Sequence, residues 1–353
     1  MERLLSLSRF TAPDSPPAGV RPLAAARHIL LTGGNSGIGF EAAVVLCRAG
    51  HRLTLLCRDR ATAEAAGRRV LERACSGTSP AAEVCDLGDL DTVRACATGL
   101  LARGTPIDTL VLNAGLQYAG ASEPRRTAQG HELSFGVNHL GHVLLAHQLG
   151  PLLAAGQSPR LVVTASEVHD PATAGGKVGA PAGLGELAGL QPGKGTTMVN
   201  GSDPFNADKA YKDSKLCNVL FAREFARRLE AQGTPYPVIA WSPGLVIPPT
   251  SEGGFWRYSR QSNELGQRLF ALAARSILRL TESVENAGAL LAALAVDDAY
   301  AVNGFTYHRN RVTAPGRHVF EATATSAEGQ DPELACRLWE ASAALVGVEA
   351  DRP

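Results

Sequence analysis

From His28 onward the chain alternates short apolar runs with longer amphipathic ones, and this rhythm limits the fold more than any other feature. Runs at 27–32, 52–57, 82–85, 107–112, 160–164 and 238–241 are four to six residues long. Between them, residues 40–48, 61–74, 90–101, 137–153 and 209–231 carry helical patterns. Strands that are apolar along most of their length lack a solvent face, so helices must cover both sides of the sheet they form. The expected fold class is α/β: a single doubly wound, Rossmann-type parallel sheet of about seven strands with helices on both faces. The last short strand is expected near Gly304 to His308, and no internal repeat stands out.

Two stretches interrupt the rhythm. Residues 170–208 are rich in Gly and Pro, and residues 248–280 contain Phe255, Trp256, Tyr258, Leu269 and Phe270. Both follow strand ends, where such folds build substrate pockets. The expected organisation is one domain over 27–353 carrying these two insertions. Residues 1–26 hold Pro13, Pro16, Pro17 and Pro22 without periodicity and read as a flexible leader. A transit peptide is the alternative, since Arg3, Arg9, Arg21 and Arg27 outnumber Glu2 and Asp14.

Charge excludes one class of partner. With 34 basic and 34 acidic residues, no excess field exists to hold nucleic acid. Seven scattered cysteines, none in a Cys-x-x-Cys pair, argue against a disulfide framework and for a reducing, cytoplasmic setting, with plastid or membrane-peripheral locations as alternatives. No apolar run approaches the ~18 residues of a membrane span. His139, His142 and His147 share one helical pattern, but nearby acids are lacking and no metal site is expected.

Thr32-Gly33-Gly34-Asn35-Ser36-Gly37-Ile38-Gly39 follows the first strand and opens the first helix. Glycines let backbone approach a pyrophosphate, and a helix start offers free N–H groups, so Gly33, Asn35, Ser36, Gly37, Ile38 and Gly39 are the expected dinucleotide cradle. Arg58, at the end of the second strand, suits a 2′-phosphate and points to NADP(H), although Asp59 follows directly. Asp86 and Leu87 follow the third strand; Asp86 either bonds the adenine amino group or caps the next helix. Asn113-Ala114-Gly115 after the fourth strand and Pro243, Gly244 and Val246 after the sixth complete the set.

Tyr211 and Lys215 lie four residues apart, on one helical face about 5–6 Å apart at Cβ. A neighbouring ammonium favours the phenolate and is expected to lower the Tyr211 pKa toward working pH. With six Tyr and five Lys in the chain, about 0.1 such pairs arise by chance. Ser166, past the fifth strand, is placed to bond a carbonyl and orient Tyr211. Asn138 is placed to hold a water linking Lys215 to solvent.

Taken in this order, the glycine motif, Asn138, Ser166 and the Tyr211/Lys215 pair resemble the short-chain dehydrogenase/reductase superfamily. That resemblance implies that Asn138, Ser166, Tyr211 and Lys215 form a catalytic tetrad, that Pro243-Gly244 lines the nicotinamide, and that Thr250 follows as an amide contact. Ala210 to Asn218, Asn138 to His142, Gly183 to Leu190 and Trp339 to Ser342 are similar to light-dependent protochlorophyllide reductases. Thr32 to Gly39 and Cys57-Arg58-Asp59 are also similar to retinol-dehydrogenase-like reductases. Two positions depart from the photoenzymes: Leu245 stands where they typically carry Cys, and Gly115 where they usually carry Ala. Leu245 cannot supply a thiol to a pigment.

The first function expected is therefore NADPH-dependent reduction of a bulky hydrophobic carbonyl or conjugated double bond, with Tyr211 donating the proton, Lys215 stabilising the phenolate and Ser166 fixing the acceptor. A protochlorophyllide reductase or a pigment-related paralogue comes second, and a non-catalytic NADP-binding sensor or scaffold third. Phe255, Trp256, Tyr258, Leu265, Leu269 and Phe270, with Arg257, Arg260 and Arg268, read as a lid over a bulky apolar substrate, a tetrapyrrole among the candidates. A peripheral membrane contact through that segment is an alternative. A homodimer is implied by resemblance alone.

Overall fold

The computed structural model describes residues 26–75, 79–193, 195–247, 272, 274 and 280–352. The expected leader, Thr250 and nearly all of the expected lid, including its aromatic and Arg cluster, lie outside the described residues.

Eight strands form one sheet in the order β3-β2-β1-β4-β5-β6-β7-β8. They are β1 (His28–Thr32), β2 (Arg52–Cys57), β3 (Ala81–Val84), β4 (Thr109–Leu112), β5 (Arg160–Thr164), β6 (Pro237–Ser242), β7 (Gly304–Ala314) and β8 (Arg317–Ala322). Every residue of β1, β4, β5 and β6 is buried, which is why these strands carry almost no polar alternation. Helices α1 (Gly37–Arg48) and α2 (Arg60–Ala74) cover one face together with α7 (Val284–Val296). The other face packs under α3 (Leu90–Arg103), α5 (Gly141–Ala154), α6 (Ala207–Ala231) and α8 (Pro332–Val346).

The sheet is parallel except at one edge, where β8 runs antiparallel to β7 with a register irregularity between Val312 and Ala314. The sequence reading ended β7 at His308 and missed β8. Arg309, Asn310 and Arg311 interrupt the apolar run because this edge is only half covered, and the strand continues through them. A second difference concerns the helix expected over 137–153. It starts as the single turn α4 (Leu133–Phe135), widens into a π-helical segment over Gly136–Leu140, and only then continues as α5. Asn138 sits in the widened turn, where the helix breaks register.

Strand order reverses at β1: the chain first steps outward through β2 to β3, then crosses back to β4 on the other side of β1. Loops leaving β1 and β4 part at that point and open a crevice beyond the strand ends. Among the described residues no helix is long and apolar enough to cross a membrane.

Candidate active site

The C-terminal ends of the central strands open into one cleft of about 1990 Å³. Ligand pockets commonly measure about 300–1,000 Å³, so this cleft has room for a dinucleotide and a second bulky molecule together. Every residue expected at the cofactor site, from Gly33 to Val246, lines it, together with Ser166, Tyr211, Lys215 and Leu245. Asn138 is fully buried and stands behind the wall.

The glycine turn is shaped for close approach. Gly33 has φ +70°, and a Cβ on Gly39 would collide with the Gly33 carbonyl oxygen and the Asn113 side-chain amide. Ser36, at the start of α1, makes no side-chain capping bond, and the first turn carries no acid. The N–H groups there remain available to an anion, which fits the pyrophosphate of a dinucleotide.

At the far end of the cleft Asp59 is committed elsewhere. Its carboxylate accepts from the Thr62 N–H and hydroxyl, both at 2.8 Å, capping α2, and those bonds hold its pKa below the usual range. Arg58 keeps only a 3.8 Å contact with it and is more than half exposed. Arg69 and Arg73 line the same end, with the Arg69 guanidinium stacked 4.4 Å over the Phe40 ring. The sequence reading did not select this pair, although its i,i+4 spacing on α2 was a readable signal. Asp86 uses one oxygen to accept from Gly88 N–H at 2.9 Å, stiffening the turn before α3, while Asp89 caps that helix.

Tyr211 and Lys215 share one face of α6. The Lys215 ammonium lies 5.9 Å from the Tyr211 ring centre and donates to the Thr164 carbonyl at 3.0 Å. Ser166 is hydrogen-bonded to the Tyr211 hydroxyl. The expected acidification of Tyr211 is not what the structure has. Burial strips water from both groups, pushing the phenol's pKa well up and pulling the Lys215 ammonium down to about 7. Desolvation disfavours whichever form is charged, and here it outweighs the pair's mutual attraction. Tyr211 is thus held protonated at neutral pH, the state a proton donor requires.

The Asn138 side chain is bonded to protein groups on both sides. Its side-chain oxygen accepts from Leu116 N–H at 2.8 Å, and its amide donates to Leu116 O and Ser214 Oγ, both at 3.0 Å. These bonds tie the segment after β4 to α6 and fix the wall opposite Lys215. The Asn138 backbone carbonyl accepts from His142 Nδ1 at 3.0 Å, so His142 Nε2 must accept from Thr32 Oγ1 at 3.0 Å. The same Thr32 hydroxyl accepts from the N–H groups of Asn113 at 2.8 Å and Ala114 at 3.0 Å. Burial drives His142 down to about 3, so the ring stays neutral and the relay keeps one polarity. His139 is also buried, bonded to Ser342 Oγ at 2.9 Å, and His147 packs 4.7 Å from the Trp339 ring.

His169 is a positioning residue as well. It is buried, donates from Nδ1 to the Ser166 carbonyl, and accepts at Nε2 from Ser326 N–H at 3.3 Å. Lys209, Lys212 and Asp213, beside the pair on the same helix, were missed in the sequence and hold the neighbouring loop. Lys212 donates to the carbonyls of Gly176, Val178 and Ala180. Lys209 donates to Gly183 O at 2.7 Å and pairs with Asp213, whose carboxylate also accepts from Gly183 N–H. Glu328 accepts from Leu184 N–H at 2.7 Å.

Residues 27–178 match the family model of short chain dehydrogenases. Over 327 residues the chain is 35% identical to protochlorophyllide reductase A of rice (Oryza sativa subsp. japonica), covering 91% of this chain and 80% of that protein. The chain belongs to the short-chain dehydrogenase family. The protochlorophyllide reductase of oat (Avena sativa) is 33% identical, over 91% of this chain and 99% of its own. Among solved structures, an uncharacterised protein from Mycobacterium paratuberculosis superposes with a TM-score of 0.63 at 26% identity, covering 92% of this chain and 94% of that one. Levodione reductase superposes at 0.59 with 22% identity over 81% and 96%, a likeness of fold. The Pseudomonas aeruginosa RhlG/NADP complex gives 0.58 at 23% over 82% and 97%, again a likeness of fold. As a short-chain dehydrogenase, the chain is an oxidoreductase.

Proposed function

We propose that this short-chain dehydrogenase is an NADPH-dependent reductase of a bulky hydrophobic carbonyl or conjugated double bond. One observation carries the reading: a protonated Tyr211, bonded to Ser166 and backed by Lys215, shares a single cleft with the glycine turn. NADPH bound there supplies a hydride. The Gly33–Gly39 turn holds the pyrophosphate, and Arg58 with Arg69 meets the 2′-phosphate. Ser166 orients the acceptor oxygen or carbon, Tyr211 gives its proton there, and Lys215, protonated in part near neutrality, stabilises the phenolate left behind. His142, Asn138 and His169 keep these groups in place. Tyr211→Phe is expected to lower kcat by about 10²–10⁴ while leaving NADPH binding within threefold. Wild-type turnover in that variant would exclude Tyr211 as the donor.

A second reading is favoured by the relatives, since proteins named protochlorophyllide reductase align with nine-tenths of this chain. Protochlorophyllide is then the substrate, with Leu245 on the cleft wall in place of a thiol. A difference spectrum of protein, NADPH and protochlorophyllide, in darkness and after a flash, separates the readings. Conversion only after light supports the second, and dark reduction of carbonyl substrates supports the first. We infer a reducing compartment, cytoplasm or plastid stroma, which suits seven free thiols.

A further inference from the structure

Arg309 lies in β7 opposite Ser242 of β6, the residue that leads into Pro243-Gly244. The Ser242 hydroxyl accepts from Glu167 N–H at 2.9 Å, so Arg309 stands beside the segment that carries Ser166. Two residues earlier on the same strand face, Tyr307 packs 5.2 Å from the His169 ring, the ring that holds the Ser166 carbonyl. Arg309 lines the cleft, yet among the described residues its shielded Nε–H has no acceptor and its guanidinium makes no ion pair. Neighbouring Arg311 is different: its guanidinium is committed to Glu321 at 2.9 and 3.1 Å.

A guanidinium on the wall of a reaction cleft with no ion pair keeps donors to offer an oxygen of a molecule in that cleft. Two acids share this wall and could compete. Asp170 spends one oxygen on Ala172 N–H at 2.9 Å. Glu167 is pushed toward its neutral form by burial, with the Arg309 charge opposing, and among the described residues no ion pair joins the two. We propose that Arg309 anchors a carboxylate of the substrate, fixing a bulky apolar keto or enone acid with its reducible carbon against Ser166 and Tyr211. A guanidinium fork matches a carboxylate in two parallel bonds, which orients as well as attracts. This assignment rests on the reductase reading for the cleft, and it narrows the substrate class to acids.

The test uses the full chain with saturating NADPH and two probe pairs. These are protochlorophyllide with its methyl ester, and 4-(2-naphthyl)-4-oxobutanoate with its methyl ester. Binding is read from the fluorescence of bound NADPH, and turnover from NADPH oxidation. Wild type is expected to bind each acid about tenfold or more tightly than its ester. Arg309→Gln should bring that ratio within twofold while ester binding and NADPH affinity stay unchanged, and Arg309→Lys should fall between. A ratio near one in wild type, an unchanged ratio in Arg309→Gln, or binding of neither member would overturn the anchor. Selective, Arg309-dependent acid binding without any NADPH oxidation would instead overturn the reductase reading and leave the anchor standing.

Discussion

Thr32→Val is the most informative single change, because valine keeps the shape of threonine and removes only the hydroxyl. That oxygen accepts from two backbone N–H groups, of Asn113 and Ala114, and donates to His142 Nε2. Three polar groups lose their partner. An unsatisfied buried group costs about 1–3 kcal/mol. Asn113 and Ala114 are half-buried and belong near the lower end, whereas His142 is fully enclosed and belongs near the upper end. The sum is about 5 kcal/mol of unfolding free energy in the absence of ligand. Thr32→Ser keeps the oxygen and gives up one methyl, about 1 kcal/mol. Urea titration of the two variants measures the difference. NADPH titration should follow it, with affinity falling about tenfold or more in Thr32→Val, since the loosened segment Asn113–Gly115 lines the cofactor end. If valine and serine cost the same, the hydroxyl relay is not what holds this segment and the argument fails.

Lys212→Met should release the loop at 172–180, speeding amide exchange there about 30-fold for a loss of about 2 kcal/mol; hydrogen-exchange mass spectrometry reads it, and unchanged exchange would show that the three carbonyls are held otherwise. Stability should fall as pH drops below 6.5. His139 and His142 are depressed to about 3 and His147 to about 4, so the unfolded chain takes up protons that the fold refuses. At pH 5 that is about 2 kcal/mol for each ring relative to pH 7.5, checked by urea melts at both values. Lys215 works in the opposite window: depressed to about 7, it disfavours the fold most below that pH, and the penalty is relieved as pH rises toward 10. Lys215→Met should therefore gain more stability over wild type at pH 6 than at pH 9. Arg58→Glu should weaken NADPH binding by about tenfold or more and leave NADH nearly untouched, as paired titrations would show.

The parallel core was legible because β1, β4, β5 and β6 are buried on both faces, and burial on both faces leaves an unbroken apolar signal. β8 was not legible, since an edge strand with one covered face reads as polar as a loop. The residues lining the glycine-turn end of the cleft could be picked because glycines and a strand-end Arg have local reasons to be where they are. The direction of the Tyr211 shift could not, because it depends on how much water the folded cleft withholds, which no spacing records. Asn138 could be found by motif, but its side-chain bonds to Leu116 and Ser214 could not, because they depend on the widened turn, a property of helix geometry and not of composition. Lys212 and Asp213 were overlooked for a related reason, since their partners lie some thirty residues upstream in a segment without periodicity.

Helix α6 gives adjacent positions to two tasks. In the proposed mechanism residues 211 and 215 handle the proton, while 209, 212 and 213 grip a stretch that lines the same cleft. Successive side chains on a helix are locked about 100° apart, so the two groups turn as one body. A bordering segment borrowed from a relative would arrive untethered unless the recipient's 209–213 came with it. Changing what this enzyme accepts thus means rewriting residues interleaved with its acid, and chimeras cut between them should lose both selectivity and speed.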